Sequence, residues 1–425
     1  MIPIVKAGTP EADELFARQD ERRAARDLEV REAVDGIIAD VSTNGWAAVR
    51  RCSLRYDGAE PYEVSPARRA EMESACPAAT RDALRRASKR IEVYQRELLV
   101  DSREWECPGG GRAGVLVRGL SRVGLYVPGG KAAYPSSVLM SAIPAKVAGV
   151  EELIMVTPPS DYLSSAVMAA AAIAGVDRVF AVGGAQAIAA LAMGAGPIPK
   201  VDKIVGPGNA YVAEAKRQLY GRIDIDMVAG PSEVLVMADD SASPAFVAAD
   251  LLSQAEHDEQ AAAVLVTVSE RLALAVAVQL EKQAAQLPRE TIARASLSRY
   301  GAAVVCHNWE QGVDIANRIA PEHLEIMTGK PRELLPLIKN AGAVFVGPYS
   351  PEPLGDYMAG PSHVLPTSGT ARFFSPLSVD SFLKKTSTIE YGRRDLEMLK
   401  ADIETIATDE GLHAHALSVK ARFSP

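Results

Sequence analysis

Histidine is scarce in this chain, and four of the six histidines stand in small polar clusters: His257, His323, His363 and His415. The stretch SQAEH (Ser253–His257) falls on an expected helix, VAADLLSQAEHD, where Gln254 and His257 at a spacing of three project from one face. Neutral imidazole is a common metal ligand, and an amide oxygen is a less common one; the same pair also suits a surface or an interface. PLGDYMAGPSHVLPT (Pro353–Thr367) reads as a Gly/Pro-rich loop carrying Asp356 and His363. Loops on a rigid scaffold often hold functional groups, although an Asp there can equally cap a helix. APEHL (Ala320–Leu324) sets Glu322 beside His323 just before an expected strand. Neighbours within a strand point to opposite faces, so the two converge only if loop geometry brings them together. An imidazole can take the proton of an alcohol, and a carboxylate can activate water; the alternative is a hydrogen-bonded core histidine with a solvated glutamate. DEGLHAH (Asp409–His415) carries Glu410 and His415 in a charged terminal segment, which is solvated unless it docks into a cleft, for instance that of a partner subunit. Gln, His, Asp and His without cysteine compose a mixed N/O metal site that keeps positions open for substrate.

Three glycine-rich turns follow expected strands and lead into expected helices: YVPGG (Tyr126–Gly130), GGAQ (Gly183–Gln186) and GPGNAYV (Gly206–Val212). Ligands of open α/β sheets bind at the carboxyl ends of strands, where such loops gather. Glycine and proline also make tight turns for no other purpose, but three turns with Tyr126, Gln186 and Asn209 at their mouths point to a nucleotide or cofactor cleft. GGGRAG (Gly109–Gly114) has the letters of a dinucleotide fingerprint, yet the strand-like VLVRGLSRVGLYV follows it. A fingerprint must open a helix whose N-terminus meets the phosphates, so this stretch is expected to be only a loop.

The elements that must position these groups alternate. Short apolar runs (VGLYV, EELIMVT, RVFAV and KIVG, then EVLVMAD, AAVLVTV, AAVVCH, HLEIM and AVFVG) read as buried parallel strands separated by helices. That alternation predicts two α/β units. A charged, helix-patterned stretch from about Pro10 to Glu104 precedes them, and a charged helical tail from about Asp380 follows.

Bulk properties narrow the partners. A net charge of −8 argues against nucleic acid or an anionic membrane. The opening residues lack the pattern of a signal peptide, and no apolar run is long enough for a bilayer. Four cysteines without a CxxC pair suit a reducing cytoplasm and exclude a thiolate zinc site.

SQAEH, APEHL, GPSHVLPT, EGLHAH, YVPGG with PSSVLM and IPAKVAGV, GPGNAYV and AGPSEVLV, in this order-preserving set from about Arg51 to Arg422, resemble the histidinol dehydrogenase family. The resemblance implies an α/β fold of two Rossmann-like doubly wound domains, with a helical N-terminal segment and a C-terminal helical tail, in an intertwined homodimer. It implies residues 1–24 as that segment, 25–118 plus 234–378 as the domain of metal and catalytic residues, 119–233 as the NAD-side domain, and 379–425 as a tail docking on the partner subunit. It implies one zinc per subunit, held by Gln254, His257, Asp356 and, from the neighbouring subunit, His415. Glu322 and His323 match the catalytic pair. Ser232, His363 and Glu410 match substrate contacts, alongside Gln254, His257, His323, Asp356 and His415. Tyr126, Gln186 and Asn209 match NAD contacts. The implied reaction takes L-histidinol through L-histidinal to L-histidine with NAD, at the end of histidine biosynthesis in the cytoplasm.

The chain departs from the family pattern at Pro376, where Gly is expected, at Ser362, where Asn is common, and over its first fifty residues. Rival readings are a zinc/NAD dehydrogenase of the same family for another small alcohol, an aldehyde dehydrogenase using Cys306 as nucleophile, a metal-binding protein without chemistry, and a metal-dependent hydrolase. The hydrolase leaves the three glycine turns unexplained.

Overall fold

The computed structural model describes residues 2–24, 28–129, 134–159 and 163–424. The chain divides into two compact units, Met1–Leu98 with Leu120–Phe382, and Leu99–Gly119 with Leu383–Pro425.

The first unit contains two six-stranded sheets. In one, the strands lie in the order Ile4–Lys6, Ala302–Val305, Ala262–Thr267, Glu233–Ala238, His323–Met327, Ala343–Val346, all parallel. In the other, the order is Tyr62–Glu63, Arg178–Ala181, Glu152–Thr157, Arg122–Tyr126, Lys203–Val205, Asp224–Ile225, parallel except for the first. Set aside Ile4–Lys6 and Tyr62–Glu63, and both sheets run third, second, first, fourth, fifth in chain order. That is the doubly wound arrangement, with its switch point between the first and fourth strands.

The central strands are mostly apolar because helices cover both of their faces. All six residues of Glu233–Ala238 are buried, as are all six of Ala262–Thr267. Alternation along the strand separates the two cores. Val234, Val236 and Ala238 pack with helix Pro244–Ala255, while Leu235 and Met237 pack with helix Trp309–Ile319 and with Leu15 and Phe16 of helix Pro10–Ala24.

Two expected assignments differ from what is observed. The N-terminal segment is not purely helical, since Ile4–Lys6 adds an edge strand to the first sheet. Helices Leu28–Asn44 and Trp46–Tyr56 belong with the second sheet, their Val30, Val34, Ile37, Val41, Ala48 and Val49 sharing its core with Ile154 and Phe180. Strand Tyr62–Glu63 pairs there too. An amphipathic stripe says which face of a helix is buried, not which sheet buries it. The expected boundary at residues 24 and 25 runs into 25–27, outside the described residues.

The second unit is a three-stranded antiparallel sheet, Leu383–Glu390, Arg112–Gly119 and Arg103–Glu106, followed by helices Arg393–Asp409 and His413–Lys420. The tail therefore begins with a strand, whose partners lie far away in the sequence. Gly109, Gly110 and Gly111 all take positive φ in the hairpin turn between Arg103–Glu106 and Arg112–Gly119, so GGGRAG opens no helix. No helix among the described residues is long and apolar enough to cross a membrane.

Candidate active site

Helix Trp309–Ile319 stops at Ala320, which takes a left-handed φ of 49°, and Pro321 follows. This turn carries Glu322 into the interior at the amino end of strand His323–Met327. Glu322 and His323 are both buried. Because Glu322 sits in the turn and not in the strand, the neighbours converge, with His323 Nδ1 3.6 Å from Glu322 Oε2. Glu233 organises both from the adjacent strand. Its N–H donates to Glu322 Oε2 at 2.9 Å, and its carbonyl lies 3.1 Å from His323 Nδ1. A carbonyl can only accept, so Nδ1 carries the proton and Nε2 is left as the acceptor. Arg22 pairs with the Glu233 side chain and donates to the Gln260 carbonyl at 2.6 Å, so the N-terminal helix anchors the strand that holds the pair.

His323 Nε2 and Gln254 Oε1 are buried without a hydrogen-bond partner. Nε2 lies 3.9 Å from Glu352 Oε1 and 3.9 Å from Asp356 Oδ1. The ligand atoms of His323, Glu352 and Asp356 all lie within 4.8 Å of one another, which makes a candidate cation pocket. Gln254 borders it, donating to Glu322 Oε2 at 3.4 Å. His257 lies just past the end of helix Pro244–Ala255, not on it, with its N–H bonded to the Gln254 carbonyl at 3.2 Å. It stays exposed at the rim, where its charge acts on His323, His363 and Glu352.

Asp356 is on a short helix, Glu352–Tyr357, where a loop was expected. Pro351, Pro353 and Gly355 hid it, although proline is tolerated in a first helical turn. Glu352 was missed for the same reason. The i, i+4 spacing of Glu352 and Asp356, which places both on one face, was the available signal. Glu352 is buried; it accepts from Ser253 Oγ at 3.3 Å, and its N–H donates to Glu325 Oε1 at 2.8 Å. His363 is half-buried, 3.1 Å from Ser137 Oγ through Nε2. Ser362, the unusual neighbour, uses its hydroxyl to accept from the Val364 N–H at 3.1 Å. Ser232 is half-buried beside Glu233. Glu410 and His415 are exposed residues of the second unit.

Burial sets the protonation here. It pushes the imidazoles of His323 and His363 down to about 4. It raises Glu322 well above the carboxylate range and, together with Glu352, pushes Asp356 up to about 8. Desolvation disfavours charge, and a divalent cation would reverse that by holding the carboxylates ionised. Behind the pocket, burial pushes Asp250 up to about 6 and, with Asp250 adjacent, Glu325 up to about 9. A carboxyl whose folded value exceeds its unfolded value binds extra protons when folded, so stability falls as pH rises through that window. Between pH 6 and 9 the melting temperature of the metal-free protein is expected to fall, and Glu325→Gln is expected to flatten that slope; thermal melts across pH check both.

The second sheet supplies the other half. Its switch point lies between Arg122–Tyr126 and Lys203–Val205, and the turns after these strands are two of the three expected glycine turns. Gly130, in the first, lies outside the described residues. Gly206 takes a φ of 112°, and a Cβ there would overlap the Tyr126 carbonyl oxygen. Its N–H donates to Asp226 Oδ2 at 2.7 Å and its carbonyl accepts from buried Lys216 at 3.1 Å, while Lys216 and Asp226 pair with each other. Asn209 caps helix Ala210–Leu219, accepting from the Val212 N–H at 3.1 Å. Tyr126 and Gln186 come together at the third turn. Tyr126 Oη accepts from the Gly184 N–H at 3.2 Å, and Gln186 Nε2 donates to Asp57 Oδ2 at 3.1 Å. With only 4% of Tyr126 and 1% of Gln186 exposed, these side chains offer a ligand little surface and mainly shape the turn.

The expectation that ligands gather at carboxyl ends thus suits the second sheet, whereas the first sheet's polar pocket lies at the amino ends of its strands. At the first sheet's own carboxyl-end switch point, Asp239 accepts from the Gly329 and Ser241 N–H groups at 3.0 and 2.9 Å.

Two doubly wound sheets, one ending in glycine turns and the other beginning in a buried pocket of imidazole, amide and carboxyl groups, define an α/β protein of the doubly wound class. A family model described as histidinol dehydrogenase matches residues 20–423, and the chain belongs to that family. A histidinol dehydrogenase of Clostridium acetobutylicum is 47% identical over 428 residues, covering 100% of this chain and 99% of the relative. One of Geobacter sulfurreducens is 49% identical over 93% of each chain. The crystal structure of histidinol dehydrogenase from Elizabethkingia anophelis superposes with a TM-score of 0.90 at 35% identity, covering 94% of this chain and 93% of that one.

Proposed function

We propose that this chain oxidises L-histidinol through L-histidinal to L-histidine, using NAD and one zinc ion per subunit, as a homodimer in the cytoplasm whose tails are exchanged. The observation that carries the catalytic reading is the bare, buried Nε2 of His323 beside Glu322.

The donor set fits zinc. Gln254 Oε1 is a buried acceptor without a partner, Asp356 is a carboxyl that burial keeps from ionising alone, and His257 is an imidazole at the rim. Gln254, His257 and Asp356 would hold the ion together with His415 of the partner subunit. Bound zinc would supply fixed positive charge that orients the substrate's amine and imidazole. Glu352 and His323 share the pocket with Asp356, so Glu352 braces the ligand carboxylate from the same helix face.

His323 accepts the alcohol proton at Nε2, with the Glu233 carbonyl stabilising the imidazolium through Nδ1–H. Glu322 in its ionised form takes a proton from the water that adds to the aldehyde; burial disfavours that anion and so raises its affinity for the proton. His323, having released the alcohol proton to solvent between the two oxidations, then accepts the proton of the hydrated aldehyde at the same Nε2. Ser232, His363 and Glu410 contact the substrate in this reading. Tyr126, Gln186 and Asn209 form the NAD side in this reading, and two NAD molecules bound there in succession would supply the hydride acceptors for the two oxidations.

A cysteine-based aldehyde dehydrogenase does not suit the site. Burial pushes the Cys306 thiol up to about 11, so it is not a thiolate at neutral pH. The test is NADH yield: two NADH per L-histidinol consumed is the expected result. A yield of one, or turnover only with other small alcohols, would replace this reading with that of a two-electron dehydrogenase.

A further inference from the structure

Asp57 has no part in the sequence motifs or in the catalytic scheme. It caps the carboxyl end of helix Trp46–Tyr56, and that helix packs its Ala48, Val49 and Cys52 into the core shared with Ala185 and Ile188 of helix Gly184–Met193. The packing delivers the Asp57 carboxylate to the start of the second helix, whose N-cap is Gly183 and has no side-chain cap of its own. There Asp57 accepts from Ser53 Oγ at 3.2 Å, from Gln186 Nε2 at 3.1 Å and from the Gly183 N–H. The next N–H, that of Gly184, goes to Tyr126 Oη. One carboxylate therefore joins the third glycine turn, Gln186 and, one residue on, Tyr126.

The turn needs this outside help. Gly184 has a φ of 64°, and a Cβ there would meet Gln186 Oε1 at 2.6 Å, so the turn and the amide are fitted closely to each other. An amide rotated away from Asp57 would collide with the turn or leave its own donor buried and unpaired, which is costly. Asp57 itself is only half-buried, whereas Gln186, Tyr126 and Gly183 are buried.

We propose that Asp57 is a positioning residue for the cofactor: it fixes Gln186 and the Gly183–Gly184 turn in the shape that receives NAD. This rests on the reading of Tyr126, Gln186 and Asn209 as the NAD side. A carboxylate acting only as a remote helix cap would instead contribute to stability and leave cofactor affinity alone.

The test uses the full-length zinc-loaded enzyme with Asp57→Ala and Asp57→Asn, read by NADH fluorescence titration, the separate KM values for NAD and L-histidinol, and thermal melts. Losing a hydrogen bond to a charged acceptor predicts an increase of about tenfold or more in the NADH Kd and the NAD KM for Asp57→Ala. The KM for L-histidinol and the zinc content should stay unchanged. Asp57→Asn retains an acceptor for Gln186 and should recover much of the affinity. A lower melting temperature with NADH Kd unchanged within about twofold would reduce Asp57 to a helix cap and overturn the proposal. Should Asp57→Ala fail to fold, Asp57→Ser, whose hydroxyl is too short to reach Gln186, takes its place, and an NADH Kd unchanged within about twofold in that variant would overturn it as well. If Gln186→Ala and Tyr126→Phe also bind NADH like wild type, the placement of the NAD side is what fails, and the role of Asp57 falls with it.

Discussion

Substituting alanine for His323 is expected to lower kcat by roughly 10²–10⁴-fold, the range contributed by a positioned general base. The imidazole is well prepared for that task. Its Nδ1 is committed to the Glu233 carbonyl, its Nε2 is buried without a partner, and burial pushes its value down to about 4. A lowered value means that the neutral, proton-accepting form persists as pH falls. For oxidation of the alcohol, the step that does not use Glu322, the acid limb of the rate profile should therefore lie well below 6.5, the value of an ordinary imidazole. Glu322→Gln separates the two oxidations. It keeps the side-chain shape beside the Glu233 N–H but removes the base that activates water, so oxidation of supplied histidinal should fall much further than oxidation of the alcohol. Both steps are followed by NADH absorbance with each substrate. If His323→Ala retained turnover within about tenfold, or if Glu322→Gln slowed both steps equally, the assigned roles would be wrong.

Ending the chain after Thr408 is expected to abolish zinc retention and turnover while leaving the first unit folded. The removed stretch contains Glu410 and His415, both exposed, and none of its residues belongs to the cores around the two parallel sheets. Exposed terminal segments contribute little to stability unless docked, so loss of metal would report a missing ligand, not unfolding. His415→Ala is the milder form. Loss of one ligand or its support costs about 10–100-fold in metal affinity, measurable by competition with a chelator. A truncated chain that held zinc and turned over normally would exclude any contribution of the tail to the site, from either subunit.

The chemistry-bearing residue types and the sequence of strands were legible without coordinates. Every apolar run expected to be a strand is one, from Arg122–Tyr126 to Ala343–Val346, because a strand covered by helices on both faces is apolar along most of its length. Pairing a histidine with a carboxyl at Glu322–His323 was also readable, but its convergence depended on a left-handed Ala320 that no periodicity announces.

Other features belong to tertiary structure alone. Glu352 reaches the pocket on a six-residue helix masked by prolines, Arg22 braces Glu233 from more than two hundred residues away, and Asp57 reaches Gln186 across a helix-helix contact. Periodicity reports which side of an element is buried, and residue type reports what a side chain can do. Which distant side chains share a pocket, and which sheet a helix covers, is set by how the assembled faces pack, and no single stretch of chain encodes that.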